Sequence, residues 1–352
     1  DGEDKENKGS GMKSDLSSVR LQRHPFVSIH IATYNEKLVV GRLLTAITSL
    51  DYDNYEIVIA DDSNDETTQI IENYFRVKGI GYRVQDGEGY SLTTAEVRSG
   101  LTLKHIHRSS RLGFKGGALK EALKATDPRA EYVMVFDADF IPYPDTIVQF
   151  LKYFQTTAGD IAGSTWVVDG KTSTTHNPQP ITSNIAAIQG YQWHVLNKSE
   201  NWITRGVRSE YSGSYVIERS GEEIYSGLKQ ISGSVYMIRR AALDEIGWGT
   251  SITEDFELTL KLYEKGYKVI YTPYIQSPAE GVSTIKRLIR QRMRWAEGHS
   301  HNIRKMFTRL MFGRWDYTKG TKETQETKET NAFGTFGSSG SSVSSGTSRT
   351  WQ

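Results

Sequence analysis

Three short acidic sequences stand out, because carboxylates so placed can hold a cation, a ribose or a proton. Asp137-Ala138-Asp139 follows a run that is wholly apolar from Val133 to Phe136, so two carboxylates leave the end of a strand together. Such a pair makes half of a hard-cation site that a diphosphate can complete, and taken alone it is also an ordinary solvated turn. Asp61 and Asp62 leave Ile57-Val58-Ile59-Ala60 in the same way. We assign Asp61 to the turn and Asp62 to a ligand, since an acid at a strand end accepts from a ribose hydroxyl or a base N–H. Asp65 is placed to cap the following helix. Ser251-Ile252-Thr253-Glu254-Asp255 opens a helix, with Ser251 and Glu254 at capping-box spacing, and Asp255 is the candidate general base.

Cations and flat surfaces complement these acids. Arg111 and Lys115 in Arg111-Leu112-Gly113-Phe114-Lys115-Gly116-Gly117-Ala118 precede a helix and offer an anion site beside its N-terminus. The spacing is not that of a Walker loop, which argues against P-loop chemistry. Gln291, Arg294 and Trp295 lie three and four residues apart and share one helix face, presenting an amide, a guanidinium for phosphate and an indole on which a pyranose can stack. An indole on an amphipathic helix is equally a core residue. His105 and His107 alternate on a strand and read as structural, whereas His299, late on the long helix, is the histidine placed to add a metal or phosphate contact.

These residues need a sheet to position them. Strand-like runs at 26–32, 56–60, 103–107, 132–136 and 161–168 alternate with helical spacing at 38–49, 67–75, 116–124 and 146–154. Further on, 185–196 reads as helix, 234–238 as strand, 256–264 as helix, 268–271 as strand, and a long helix runs from 283 past Trp295. Residues 79–100 fit neither period and read as a surface insertion. The pattern is that of an α/β fold with a mostly parallel central sheet, Rossmann-like, carrying helices on both faces. The acids fall at the carboxyl ends of its strands, the edge where ligands bind.

Composition narrows the chemistry. The 352 residues contain no cysteine, so any metal sits on oxygen or imidazole. The formal net charge of +1 gives no footprint for nucleic acid. No apolar run approaches the length of a membrane span, and a soluble, cytoplasmic catalytic domain at 25–312 is expected between a disordered tail at 1–24 and a low-complexity tail at 313–352.

In order, ATYNE, DDS, the K-G-G-A-L helix start, DAD, TED and QRMRW resemble a family-2 glycosyltransferase of the GT-A fold, in the branch with a QxxRW motif that includes cellulose, chitin and hyaluronan synthases. The resemblance runs from about Val27 to Phe307. It implies an inverting transfer from a nucleotide sugar, a UDP-sugar in the first place, to a saccharide or lipid-linked acceptor, with Mg²⁺ or Mn²⁺ as cofactor. It places Asp62 on the nucleobase, Asp137 on the ribose and metal, and Asp139 on the metal. Asp255 becomes the general base. Thr33, Tyr34 and Glu36 fall beside the nucleotide with Arg111, Lys115 and Arg294, while Glu254, Gln291 and Trp295 fall on the acceptor side. Members of this branch continue into membrane helices, so association with the cytoplasmic face of a membrane would come from segments absent from this chain. A sugar-phosphate nucleotidyltransferase and a non-catalytic binding module are the rival readings.

Overall fold

The computed structural model describes residues 20–156, 165–168, 171–174, 184–197, 200–224 and 228–312. The chain divides into units 1–315 and 316–352, and every described residue belongs to the first. Most of both expected tails and residues 161–164 of an expected strand lie outside the described residues. Packing begins upstream of the expected boundary at 25: Leu21 lies against the main core and the Gln22 N–H donates to Gln155 Oε1 at 2.9 Å.

The first half alternates as expected: β1 (Phe26–Thr33), α1 (Val40–Ile47), β2 (Tyr55–Asp61) and α2 (Thr67–Lys78), then a hairpin of β3 (Ile80–Gly87) and β4 (Tyr90–Arg98). After it come β5 (Leu101–Arg108), α3 (Phe114–Lys124), β6 (Ala130–Asp137) and α4 (Thr146–Thr156). A separate two-stranded ribbon pairs β7 (Thr165–Val168) with β8 (Lys171–Thr174). The second half holds β9 (Ile185–His194), α5 (Trp202–Ser212), a π-helical stretch Gly213–Glu218 and α6 (Arg219–Ile224). It ends with β10 (Tyr236–Arg239), α7 (Arg240–Ile246), α8 (Glu254–Glu264), β11 (Lys268–Ala279) and α9 (Ile285–Phe312).

The main sheet has nine strands in the order β11-β9-β10-β6-β1-β2-β5-β4-β3. Its centre, β6-β1-β2-β5, is parallel, but β10 runs antiparallel to both β6 and β9, and β4 runs antiparallel to β5 and β3. The sheet is therefore mixed, which corrects the expectation of a mostly parallel one. Beside the antiparallel pairing of β10 with β6, two misread segments contribute to this. Residues 185–196, expected as helix, form β9, buried along nearly its whole length; a strand covered on both faces loses its alternation and cannot be told from a buried helix by period. Residues 79–100, expected as an insertion, form the hairpin, with every residue of β3 exposed and no buried face to reveal it.

Helices cover both faces, as expected. Val27, Ile29 and Ile31 of β1, with Tyr132, Met134 and Phe136 of β6, pack towards α1, α2 and α4. The alternate residues Val133 and Val135 pack towards α3, α7 and α8 through Leu119, Leu243, Leu258 and Leu262. This period-2 division fixes register: a one-residue slip of β6 would turn its apolar side chains to the wrong face and move Asp137 with them.

Candidate active site

At the carboxyl ends of the parallel strands a cleft of about 760 Å³ opens. Thr33, Tyr34 and Glu36 line it after β1, Asp62 after β2, Arg111 and Lys115 at α3, and Asp137 and Asp139 at the end of β6. Glu254 and Asp255 enter from α8, and Gln291, Arg294, Trp295 and His299 from α9. Every residue singled out from sequence as a site residue therefore shares one cavity.

The end of the cleft at β2 is held by partnered groups. Asp61 is fully buried, where its carboxylate accepts from Thr33 Oγ1 at 2.7 Å, the Ser63 N–H at 3.1 Å and Thr68 Oγ1 at 2.6 Å, in keeping with a turn role. Burial opposes this charge, but its hydrogen bonds, His105 and Ser63 foremost, hold the pKa below the usual carboxylate range. Asp62 turns the other way, into the cleft, where Arg108 grips it at 2.5 and 2.6 Å. Arg108 lies 46 residues along the chain from Asp62 and carries no sequence signal that links the two. Asp65 accepts from the Thr67 N–H at 2.9 Å, which ties the turn to α2. Arg111 lies 3.5 Å over the Tyr34 ring, a cation–π contact that seats both at the rim.

Across the cleft the charges crowd. Lys115 donates to Asp137 Oδ1, to the Gly233 carbonyl at 2.6 Å, and lies 3.3 Å from Glu254 Oε1. Burial works against its charge, but Asp137 and Glu254 raise its pKa above the ordinary lysine value. One ammonium does not neutralise the cluster. Burial pushes Asp139 up to about 8, with Asp137 and Glu36 adding repulsion. Burial likewise raises Glu36 to about 7, with Asp137 and Asp65 as further causes. Glu254 is raised to about 7 by burial and by Asp255, against the pull of Lys115, and burial raises Asp255 as well. Carboxylates in this condition fit a divalent cation, which would replace the missing counter-charge.

Local structure explains how α8 presents its acids. The capping box expected from Ser251 and Glu254 does not form: the N-cap, Thr253, makes no side-chain cap bond. Ser251 Oγ instead accepts from the Thr253 N–H at 3.3 Å, which leaves Glu254 to face Lys115. Asn302 of α9 donates to the Thr253 carbonyl at 3.1 Å, and α9 crosses that residue at Gly298, where a Cβ would collide with the Thr253 side chain. Gly233 has φ +72°, and a Cβ there would come 3.3 Å from Asp255 Oδ2 and 3.5 Å from Lys115 Nζ. The Ser232-Gly233-Ser234 loop is tied to β9: Gln189 accepts from the Ser232 N–H at 2.8 Å and donates to the Ser234 carbonyl at 2.9 Å. Sequence reading took this region only as a strand start, and the misreading of β9 hid its support.

On the far wall, α5 and the π-helical stretch bring Tyr211 and Tyr215 into the cleft, with the His194 ring of β9 tilted against Tyr211, 3.8 Å between centroids. Arg292 lies 4.4 Å over Trp295 and pairs with Glu210 at 2.5 Å, which links α9 to α5. Neither Arg292 nor Glu210 was assigned a role from sequence. A second group with ligand potential lies behind the cleft: one ligand atom each of Asp61, His105 and His107 fall within 4.8 Å of one another. Among the described residues this is a side-chain group at the spacing that fits a divalent metal.

An acidic, cation-lined cleft at the carboxyl ends of parallel strands is the site of an α/β enzyme whose ligand carries phosphate or sugar hydroxyls. The chain belongs to glycosyl transferase family 2, whose model matches residues 28–215, and so is a glycosyltransferase by family. A second model, glycosyl transferase family group 2, matches residues 175–330. The chain is similar to glucomannan 4-beta-mannosyltransferase 2 of Arabidopsis thaliana, 28% identical over 301 residues that span 83% of this chain and 48% of that one. It is also similar to the beta-monoglucosyldiacylglycerol synthase of Trichormus variabilis, 29% identical over 282 residues, 78% and 49% of the two chains. It therefore spans about half the length of these relatives. Its fold is similar to that of a mannosyltransferase from Pyrobaculum calidifontis, solved in complex with GDP-Man and Mn²⁺, with a TM-score of 0.54 and 17% identity over 90% of this chain and 77% of that one. Among the described residues no helix is long and apolar enough to cross a membrane.

Proposed function

We propose that this chain is the catalytic portion of a metal-dependent, inverting glycosyltransferase, in which Asp255 deprotonates the acceptor and Asp62 marks the nucleotide end. The observation that carries the reading is the single cleft in which buried, raised-pKa carboxylates gather around Lys115 opposite the Asp62–Arg108 pair. Asp255 is buried and its pKa is raised above the usual carboxylate range by that burial, which suits a proton acceptor. Its partner Lys115 orders the acidic wall through Asp137 and Glu254 and, with Arg294 on α9, is placed to meet a departing diphosphate. Asp137 and Asp139 would hold Mg²⁺ or Mn²⁺, which supplies charge neutralisation for the leaving group. Asp62 would accept from the nucleobase, with Thr33, Tyr34, Glu36 and Arg111 bordering the nucleotide. Glu254, Gln291 and Trp295 would meet the acceptor, the indole offering a stacking surface to a saccharide ring.

With attack from the face opposite the diphosphate, an α-linked donor gives a β-linked product. The relatives named as mannosyltransferases and the neighbour holding GDP-Man put GDP-mannose beside UDP-glucose as donors to test. Assignment to the QxxRW branch, and membrane association through segments outside this chain, belong to the same proposal. Purified protein incubated with each nucleotide sugar, saccharide or glycolipid acceptors and Mn²⁺ or Mg²⁺ should release UDP or GDP, and should not with metal omitted. Pyrophosphate release from a nucleoside triphosphate and a sugar phosphate would point instead to a nucleotidyltransferase.

A further inference from the structure

The Asp61, His105 and His107 group stands apart from the cleft chemistry, since none of the three lines that cavity. Asp61 and His105 are buried, and the His107 side chain is 36% exposed, which opens the group to solvent on one side. Hydrogen bonding alone leaves it oversubscribed. An ionised carboxylate offers about four lone-pair directions, two on each oxygen. Thr33 and Ser63 occupy those of Oδ1, and Thr68 takes one of Oδ2. One direction remains, and two imidazole nitrogens face it: His105 Nε2 at 3.4 Å and His107 Nδ1 at 3.3 Å.

Those separations are long for N–H···O bonds, whose usual range is about 2.7–3.2 Å. They match another geometry. A tetrahedral ion about 2.0–2.2 Å from imidazole nitrogen and carboxylate oxygen sets its ligand atoms about 3.3–3.5 Å from one another. We infer that Asp61, His105 and His107 form a second metal site, for a borderline ion of the zinc type, distinct from the carboxylate site proposed in the cleft. Two nitrogens and one oxygen select such an ion over Mg²⁺, which takes oxygen ligands. One cation on the remaining Oδ2 direction satisfies both imidazoles at once. The two nitrogens, already within 4.8 Å, close to ligand spacing by rotation of the half-exposed His107 ring. Asp61 and His107 are paired neighbours in the β2–β5 register, and the next residues along, Asp62 and Arg108, make the ion pair at the nucleotide end. An ion here would fasten the two strand ends behind that pair.

The test does not depend on the transfer reaction. Chelator-treated protein is titrated with Co²⁺, followed by visible absorption, and with Zn²⁺, followed by calorimetry and thermal melting. One equivalent of Co²⁺ should give the intense d–d band of a tetrahedral site, Zn²⁺ should displace it, and Zn²⁺ should raise the melting temperature. His107→Ala, whose metal-free melting temperature should equal that of the parent, should weaken binding more than about 10-fold and abolish the band. Asp139→Asn should keep it. The inference fails if the parent protein gives no tetrahedral band, if His107→Ala leaves the band intact, or if the band is lost with Asp139→Asn or His299→Ala instead.

Discussion

The two walls of the cleft handle charge in opposite ways. At the wall built by β2 and β5, the acids after β2 each have a partner: Asp61 its hydroxyls and an N–H, Asp62 the Arg108 fork, Asp65 the Thr67 N–H. At the wall built by β6, α8 and the Ser232–Ser234 loop, Asp137, Glu254 and Asp255 share one lysine, while Asp139 and Glu36 are pushed towards their neutral forms. A partnered acid is already oriented and can meet a ligand without rearranging, whereas crowded, buried acids with raised pKa values lack counter-charge, the condition in which a cation is taken up.

If that contrast holds, substitutions on the two walls should fail differently. Removing a proposed metal ligand with Asp139→Ala should lower metal-dependent transfer by more than the roughly 100-fold that losing an outer partner of a metal ligand costs. Nucleotide binding without metal should persist, as read by calorimetry. Gly233→Val tests the close approach beneath the acids. A side chain there must adopt a left-handed conformation costing about 1–2 kcal/mol, and it would press on Asp255 and Lys115. Lower melting temperature and lost turnover should appear together. On the partnered wall, Asp62→Ala should weaken nucleoside diphosphate binding about 10-fold, in line with the loss of a charge-assisted hydrogen bond of about 1.5 kcal/mol, with little change in maximal rate.

The pH response separates the walls without any mutation. Glu36, Asp139 and Glu254 have folded values of about 7, 8 and 7, above ordinary values of 4.5, 3.8 and 4.5. Between these limits the folded chain retains protons that the unfolded chain has lost, so these groups make the metal-free protein less stable as pH rises from about 4 to about 8. A cation needs the ionised forms. The stabilisation by Mn²⁺ in thermal melts should therefore grow over the same interval, and a Mn²⁺ effect that shrinks with rising pH would break the comparison. At the far edge, Val84→Thr on the exposed face of β3 should change stability by less than about 0.5 kcal/mol and leave transfer untouched.

The acids after β2 and β6 were legible in the sequence because they follow apolar runs that end at the sheet's carboxyl edge, Ala60 before Asp61 and Phe136 before Asp137, while Glu254 and Asp255 were legible as the opening of a helix. The parallel centre of the sheet was legible from the same apolar runs. The flanks were not. β9 is buried on both faces and β3 exposed on both, so neither carries the period-2 contrast that marks a half-buried strand. Partners remote in sequence were also invisible: Arg108 reaches Asp62 across 46 residues and Lys115 reaches Gly233 across 118. Only the fold brings them together, and those contacts decide which acid is oriented and which is left in need of a cation.

In the mechanism proposed above, Asp255 removes the acceptor proton while the donor is bound by other residues. Asp255→Asn keeps the shape of the side chain and removes its basicity, so donor affinity and turnover should be measured on the same preparation with Mn²⁺ present. Donor binding should stay within about 3-fold of the parent, with transfer reduced by the roughly 100- to 10,000-fold that a general base contributes. Transfer at the parent rate, or turnover and donor binding falling in step, would contradict that mechanism.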